Sequence, residues 1–277
     1  MLSTVYKYPS VLTIAGSDCS GGAGIQADLK TFAALGCYGT SAITAVTVQN
    51  TLGTSKIHNL PPELVQEQVI AVMEDIKCGA IKIGMVHNRQ LIEAIAVVIK
   101  NYAIPIIFDS VMVASSGDQL IENDAVEALK TTLIPLCTLV TPNLDEAAVL
   151  TSMKINTAGD MENAAIRLIE DGCKAVLIKG GHLKGPELFD IYLDQQGKQQ
   201  LFKSTKIDTS NTHGTGCTLS SAIAAFMAMG YELLIAIEMA RIYVYRAIEN
   251  GKNVKTGNGH GPLNHSFAPR KMALVKV

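Results

Sequence analysis

Short apolar runs recur along the chain, and each has the length and the β-branched content of a buried strand. They cover residues 11–15, 42–48, 80–83, 104–108, 138–141 and 175–178. The segments between them space their apolar residues as helices do, at residues 25–35, 62–76, 89–102, 125–133 and 161–170. Because strands and helices alternate, the pattern predicts an α/β fold with a mainly parallel central sheet.

The C-terminal third of the chain changes pattern. Two strand-like runs within residues 188–207 flank the turn-prone Gln196-Gly197-Lys198, which predicts an antiparallel hairpin at a sheet edge. Two helices are predicted next, at residues 218–229 and 233–249, followed by the glycine-rich stretch GNGHGPLNH. No low-complexity linker divides the chain, so residues 1–277 are interpreted as a single domain.

Composition narrows the classes of partner. Hydrophobic residues make up 48% of the 277 residues and charged residues 17%, which is enough apolar material for one large core. The net charge is −2, and the basic residues are scattered along the chain instead of clustered. This pattern argues against nucleic acid or an anionic membrane as the main partner.

The six cysteines and the chain's apolar runs bear on its location. The cysteines are far apart, with no C-x-x-C pair and no zinc-ligand spacing, as expected of reduced thiols. The first residues, MLSTVYKYPSV, contain no apolar signal region, and the apolar runs elsewhere are too short to cross a bilayer. We therefore expect a cytoplasmic protein.

The segment NTHGTGCT, residues 211–218, is the most informative stretch for chemistry. The backbone amides of Gly214, Thr215, Gly216 and Cys217 are expected to point outward at a helix start, where the helix dipole favours an anion such as a phosphoryl group. The same position is expected to lower the thiol pKa of Cys217, which could then accept the proton of an attacking hydroxyl. Alternatively, the glycines only shape a turn and Cys217 is a small buried hydrophobe.

A second glycine-rich loop, GSDCSGGAG at residues 16–24, joins the first strand to a helix that carries Asp28. It matches neither a P-loop nor the dinucleotide-binding pattern, which weakens the ATPase and dehydrogenase interpretations. Asp28 is expected either to be exposed on the surface or to hydrogen-bond a polar substrate ring.

Charged side chains follow three of the predicted strands. Asp109 and Glu146 could hold Mg²⁺ through water, or each could instead cap the next helix. Lys179 opens the sequence KGGH at residues 179–182, where an ammonium group could neutralise phosphate charge. Because the carboxyl ends of parallel strands meet at one edge, these groups are expected to share a site.

Together these motifs resemble the hydroxymethylpyrimidine and phosphomethylpyrimidine kinases of thiamine biosynthesis, in the ribokinase-like superfamily. The resemblance covers nearly the whole chain and rests on TIAGSDCSGGAGIQADLKTF, AITAVTVQNT, KIGM, DSVMV, TPNLDEA, KGGH and NTHGTGCT. It implies a three-layer αβα sandwich, ATP as co-substrate, Mg²⁺, a pyrimidine substrate and a homodimer. The acceptor could be the free alcohol, its monophosphate, or both in turn.

The resemblance also implies roles for particular residues. Cys217 would be the catalytic base, with the amides from Gly214 to Cys217 as the anion hole. Gly16, Asp28, Gln49, Met85 and Val111 would bind the pyrimidine. Asn143, Lys179, Gly181 and His213 would serve the nucleotide, with Thr212 and His213 positioning the anion hole, and Asp109 and Glu146 would serve the metal. Ser110 departs from the proline that many relatives have after the aspartate.

Three other functions fit parts of the pattern. Pyridoxal kinase activity is the nearest, because pyridoxine-type substrates also carry a hydroxymethyl group on a six-membered nitrogen ring. Thiol hydrolysis by Cys217 with His213 leaves the carboxylates and Lys179 without a role. A non-enzymatic binding or regulatory module is the third. Residues 92–99 could form a dimer interface or lie in the core, and residues 114–119 have the composition of a mobile flap.

Overall fold

The computed structural model describes residues 5–112, 121–122, 124–181 and 187–276. Within these residues the strands are β1 Tyr6–Lys7, β2 Ser10–Asp18, β3 Tyr38–Asn50, β4 Gly53–Asn59, β5 Ala80–Ile83, β6 Ile106–Phe108, β7 Leu139–Val140, β8 Ala175–Lys179, β9 Glu187–Asp194, β10 Gln199–Thr205 and β11 Val275–Lys276. The main sheet has the order β10-β9-β8-β7-β6-β5-β2-β3-β4. All pairs from β8 to β3 are parallel, and the outer pairs β8-β9, β9-β10 and β3-β4 are antiparallel.

Helices cover both faces of this sheet. They are α1 Gly24–Leu35, α2 Pro62–Asp75, α3 Arg89–Ile99, α4 Ala125–Ala128, α5 Leu144–Thr151, α6 Ala158–Glu170, α7 Thr215–Ala228 and α8 Leu233–Gly251. One core lies between the sheet and α2 to α6, and a second lies between the sheet and α1, α7 and α8. Successive side chains of a strand point to opposite faces, so Ile81 and Ile83 enter the first core and Ala80 the second. The predicted three-layer αβα sandwich with an edge hairpin is confirmed.

Two local predictions differ from the structure. Strand β4 was not predicted, because its residues GTSKIHN are mostly polar and lie at an exposed sheet edge with no buried face to impose alternation. The predicted helix at residues 125–133 is α-helical only over Ala125–Ala128. It continues as a π-helix over Leu129–Leu133 and a 3₁₀ turn over Ile134–Leu136.

The position of helix α3 shows whether residues 92–99 lie in the core or are free to form a dimer interface. Leu91, Ile92, Ile95 and Ile99 are fully buried in the first core, so core packing accounts for most of its apolar residues. The predicted flap at residues 114–119 lies outside the described residues. In the described part of the chain no helix combines the length and the apolar character needed to cross a bilayer.

Candidate active site

The predicted site residues gather at the carboxyl edge of the parallel strands, as expected for an open α/β sheet. The end of β2 and the loop that follows it contain residues 16–23, and the loop after β5 carries Met85. Asp109 follows β6, and Lys179 ends β8. The start of α7 packs closely against the loop after β2. A Cβ on Gly214 would collide with the carbonyl oxygen of Gly22.

The anion loop, residues 212–217, presents backbone amides at the N-terminus of α7. Gly214 is the N-cap of this 14-residue helix and has φ of 86°, a conformation that favours glycine. The amides of Gly214, Gly216 and Cys217 have no acceptor among the described residues. The Thr215 amide, also expected to be open, instead donates to the Thr212 carbonyl at 3.2 Å. Three of the four predicted amides are therefore available to an anion.

The structure corrects the expected ionisation of Cys217. Its side chain is half-buried, and burial raises the thiol pKa to about 11, with the charges of Asp28 and Asp109 acting in the same direction. Lys82 and the Gly24 amide oppose this shift but do not outweigh it. The helix N-terminus alone does not produce a thiolate here, because two carboxylates and low solvent access favour the neutral thiol.

Asp28 lies in the core instead of on the surface. It has 0% exposure, and Lys82 Nζ lies 2.9 and 3.0 Å from its two oxygens. Thr13 Oγ1 and Ser221 Oγ each donate to it at 2.6 Å. The expected surface position is wrong, and no atom of Asp28 is exposed to hydrogen-bond a substrate ring. Ser221 is one helical turn after Cys217 on α7, so this buried network supports the start of the helix.

Asp109, Lys179 and Gly216 form a compact group beside the anion loop. Lys179 Nζ lies 2.9 Å from Asp109 Oδ1. The buried Asp109 carboxylate also accepts hydrogen bonds from the hydroxyls of Thr141 and Ser220, each at 3.3 Å. A Cβ on Gly216 would lie 3.3 Å from Lys179 Nζ and 3.5 Å from Asp109 Oδ2. The open Gly216 amide, the ammonium and the carboxylate are thus brought to one place. Burial raises the pKa of Asp109, but Lys179 and Lys82 outweigh it and hold that pKa below its usual value.

Glu146 both caps a helix and belongs to this charged group. Its Oε2 accepts from the Asn143 amide at 2.8 Å, and Asn143 Oδ1 accepts from the Glu146 amide at 2.9 Å, a reciprocal capping box for α5. Burial raises the carboxyl pKa to about 7, Asp109 adds to the increase, and Lys179 opposes it. The capping alternative is therefore confirmed for Glu146. The carboxyl group also interacts electrostatically with Asp109, whose charge raises its pKa.

His213 connects the two glycine-rich loops. Its side chain is buried, with Nε2 2.9 Å from Asp18 Oδ2 and 3.4 Å from Gln49 Nε2. Asp18 also accepts from the amides of Gly22 and Ala23, so it organises the first loop and anchors His213 to it. The grouping of His213 with the nucleotide residues stays a prediction. Its ring lies beside Gln49, whereas Asn143 and Lys179 are paired to each other by a β-bridge.

The remaining predicted residues are Gly16, Met85, Val111 and Gly181. Gly16 lies in a β-bulge of β2, where an added Cβ would be 3.2 Å from Met85 Sδ, so these two residues adjoin. Val111 is half-buried two residues beyond Asp109. Gly181 is exposed at the end of the described segment after Lys179.

Sequence reasoning assigned no role to Lys82 or Asp18. A lysine within the otherwise apolar strand AIKI was a usable signal, because a fully buried lysine requires a partner. Asp18 gave no comparable signal, since an aspartate in a glycine-rich loop is ordinary turn chemistry.

The sheet with its open edge, the free amides of the anion loop and the paired Lys179 and Asp109 together define a small-molecule kinase. A family model described as "Phosphomethylpyrimidine kinase" matches residues 18–264. The chain belongs to this phosphomethylpyrimidine kinase family.

Individual relatives extend the comparison. A hydroxymethylpyrimidine/phosphomethylpyrimidine kinase of Rhizobium meliloti is 48% identical over 257 residues, which cover 92% of this chain and 96% of the relative. A thiamine biosynthesis bifunctional protein of Geobacter sulfurreducens is 47% identical over 94% of this chain, and the match spans 52% of that longer protein. Among solved structures, the pyridoxal kinase of Staphylococcus aureus in complex with pyridoxal superposes with a TM-score of 0.86 at 33% identity, covering 98% of this chain and 100% of the other.

Proposed function

We propose that this protein transfers the γ-phosphoryl group of ATP to 4-amino-5-hydroxymethyl-2-methylpyrimidine and then to the resulting monophosphate, as a single-domain enzyme of thiamine diphosphate biosynthesis. The observation that carries the proposal is the meeting of three open amides of the anion loop with Lys179, Asp109 and Cys217 at one sheet edge. The family match and the names of the relatives supply the acceptor class.

Each step of the transfer has a residue to serve it. The acceptor oxygen forms a bond to the γ-phosphorus while the bond to the β-bridging oxygen breaks, and Cys217 Sγ takes the proton of the acceptor hydroxyl. The amides of Gly214, Gly216 and Cys217 hold the equatorial oxygens, and Lys179 offsets phosphate charge. Because the thiol pKa is about 11, the thiolate form of Cys217, a small fraction at neutral pH, is the form that accepts this proton.

A Mg²⁺ ion fits the charged group beside the anion loop. Asp109 and Glu146 supply hard oxygen donors. Burial raises the Glu146 pKa and the Asp109 charge adds to the increase, and a cation would offset both carboxylate charges. The described residues contain no cluster of three or more metal-ligating side chains, so water and phosphate oxygens would complete the coordination. Bound there, Mg²⁺ would neutralise phosphate charge.

Glu146→Gln tests this metal assignment. The amide keeps the capping acceptor for the Asn143 N–H but loses the charge, so we expect the affinity for Mg²⁺ to fall about tenfold or more. The affinity is measured by calorimetric titration of Mg²⁺ in the presence of a non-hydrolysable ATP analogue. Asp160→Asn, at the capping box of α6, is the matched control and should leave Mg²⁺ binding unchanged. Equal affinities in wild type and Glu146→Gln would contradict the assignment.

Gln49→Leu tests the acceptor side. We propose that the Gln49 amide hydrogen-bonds the polar edge of the pyrimidine, so its loss should raise the KM for the pyrimidine about tenfold while the KM for ATP stays within twofold. Steady-state kinetics with each substrate varied in turn provide the measurement. Gln199→Leu, on the exposed edge strand β10, is the control. A rise in the ATP KM alone would move Gln49 out of the acceptor site.

Pyridoxal phosphorylation is the second candidate, supported by the TM-score of 0.86 to a pyridoxal kinase. The deciding experiment compares hydroxymethylpyrimidine, its monophosphate and pyridoxal as acceptors with one enzyme preparation and Mg-ATP. Turnover of both pyrimidines with little on pyridoxal supports the main proposal. A preference for pyridoxal would support vitamin B6 salvage, and no transfer to any acceptor would favour a binding module.

We further propose a cytoplasmic homodimer. The outer face of the β3-β4 hairpin carries Val46, Val48 and Leu52, which are 44%, 55% and 70% exposed. Such exposed apolar side chains are typical of an interface between subunits. Sedimentation velocity tests the assembly, and Val48→Lys is expected to shift it toward monomer.

A further inference from the structure

The glycine-rich stretch near the C-terminus has no place in the mechanism described so far. Residues 257–265, here called the C-terminal strap, follow α8 and reach the turn between β3 and β4. The amides of Asn258 and Gly259 donate to Thr51 Oγ1 at 3.2 and 3.1 Å, and the His260 amide donates to the Thr51 carbonyl at 2.9 Å. Thr51 is two residues after Gln49, so this end of the strap is attached beside the proposed acceptor site.

The other end of the strap contacts the backbone of the anion loop. The His213 amide donates to the Gly261 carbonyl at 3.1 Å, and His213 pairs with Pro262 as a parallel bridge. A Cβ on Gly261 would collide with the Asn211 side chain, whose Nδ2 in turn donates to the carbonyls of Gly251, the last residue of α8, and Val254. Glycine at this position therefore allows the strap to run directly against the anion loop.

His265 reaches the anion loop through a second residue. It is 5% exposed, and its Nε2 lies 3.0 Å from Thr218 Oγ1, which lies 2.8 Å from the Gly214 carbonyl oxygen. Tyr243 Oη on α8 donates to the His265 carbonyl at 2.7 Å and fixes the backbone there. The strap thus contacts the anion loop at two points. Gly261 accepts from the His213 amide, and His265 contacts the Thr218 hydroxyl, which lies beside the Gly214 carbonyl.

Thr218 Oγ1 lies within hydrogen-bonding distance of both the Gly214 carbonyl oxygen and His265 Nε2. The tautomer of His265 decides which atom of the Thr218 and His265 pair donates. Burial, with the Lys30 charge, lowers the His265 pKa to about 4, although the Leu263 carbonyl acts weakly in the opposite direction. The ring is therefore neutral at pH 7 and carries a single N–H.

We propose that the C-terminal strap is a positioning element of the active site, which fixes the anion loop to the hairpin that carries Gln49. Its role rests on the proposed function, in which the anion loop holds the phosphoryl group and Gln49 the acceptor. By joining the two, the strap sets the spacing between acceptor hydroxyl and phosphorus. Misplacement by about 1 Å is enough to lower a transfer rate by about a hundredfold.

His265 variants test the anion-loop end. His265→Phe fills the same space but cannot hydrogen-bond Thr218, so we expect kcat to fall about tenfold while both KM values stay within twofold. His265→Gln retains both a donor and an acceptor at similar reach and should recover most of the loss. A purely structural role predicts lower thermal stability in both variants with normal kcat for the folded enzyme, and that result would overturn the proposal.

Thr51→Val tests the other end without relying on turnover. Valine keeps the shape but removes the acceptor for the Asn258 and Gly259 amides, so hydrogen exchange should become about fivefold faster in a peptide covering residues 211–218. Ser55→Ala is the matched control, because it removes a hydroxyl bond to the Val48 carbonyl on the same hairpin without touching the strap. Unchanged exchange in Thr51→Val would overturn the coupling, and wild type inactive on every acceptor would overturn the proposed function alone.

Discussion

Cys217→Ala is expected to lower turnover by about a hundredfold or more, the scale of losing a general base. Only the thiol that receives the acceptor proton is removed, because the Cys217 amide remains part of the anion loop. ATP binding, measured by calorimetry with a non-hydrolysable analogue, should stay within twofold of wild type. Cys37→Ala, at a buried cysteine on the same sheet face, controls for the loss of a thiol from the core. Undiminished turnover in Cys217→Ala would remove the residue from the reaction.

The raised thiol pKa gives this prediction a signature in pH. Since the pKa is about 11, the thiolate fraction grows about tenfold per pH unit through the neutral and mildly alkaline range. The kcat/KM for the acceptor should rise with pH up to about 10. The pKa values of Lys82 and Lys179 are raised by their carboxylate partners, so both remain charged over this interval. The residual kcat/KM of Cys217→Ala should not increase with pH. A wild-type kcat/KM that does not change with pH would indicate that another group is the base.

Lys82→Met is expected to destabilise the fold by about 3–5 kcal/mol. Both members of the Lys82 and Asp28 pair are fully buried, so the substitution leaves a carboxylate in the core with only the Thr13 and Ser221 hydroxyls as donors. Thermal unfolding followed by circular dichroism should show a Tm lower by about 10 °C. Adding Asp28→Leu to the same chain should restore most of this loss, because the unpaired charge is then gone.

An exposed pair provides the control for Lys82. Lys252 and Glu249 are only 2.7 Å apart, but their side chains are 35% and 44% exposed. Lys252→Met should therefore cost at most about 1 kcal/mol, because water solvates the remaining carboxylate. Equal losses at the two sites would show that burial of the Asp28 charge is not the cause.

The regular elements of the fold were predictable because their signal is local. Strands such as Ile106–Phe108 are continuous apolar runs, and the hairpin turn at Gly197, with φ of 77°, has a composition that few other structures use. Strand β4 was not predictable in this way. Strand β4 forms because it pairs with β3 through backbone hydrogen bonds. Its side chains are mostly exposed at the sheet edge, so its sequence has little hydrophobic alternation.

The features of the candidate site were likewise predictable only where their signal is local in the sequence. The sequence by itself determined the α/β class, the resemblance to a kinase family and the segments that carry Cys217, Lys179 and Gln49, because turn glycines and strand ends are local features of the sequence. Only the tertiary structure decided that Asp28 is buried against Lys82, that the Cys217 pKa is raised and that His213 faces Asp18. Burial and charge depend on neighbours from distant parts of the chain, and no local pattern specifies which neighbours those are.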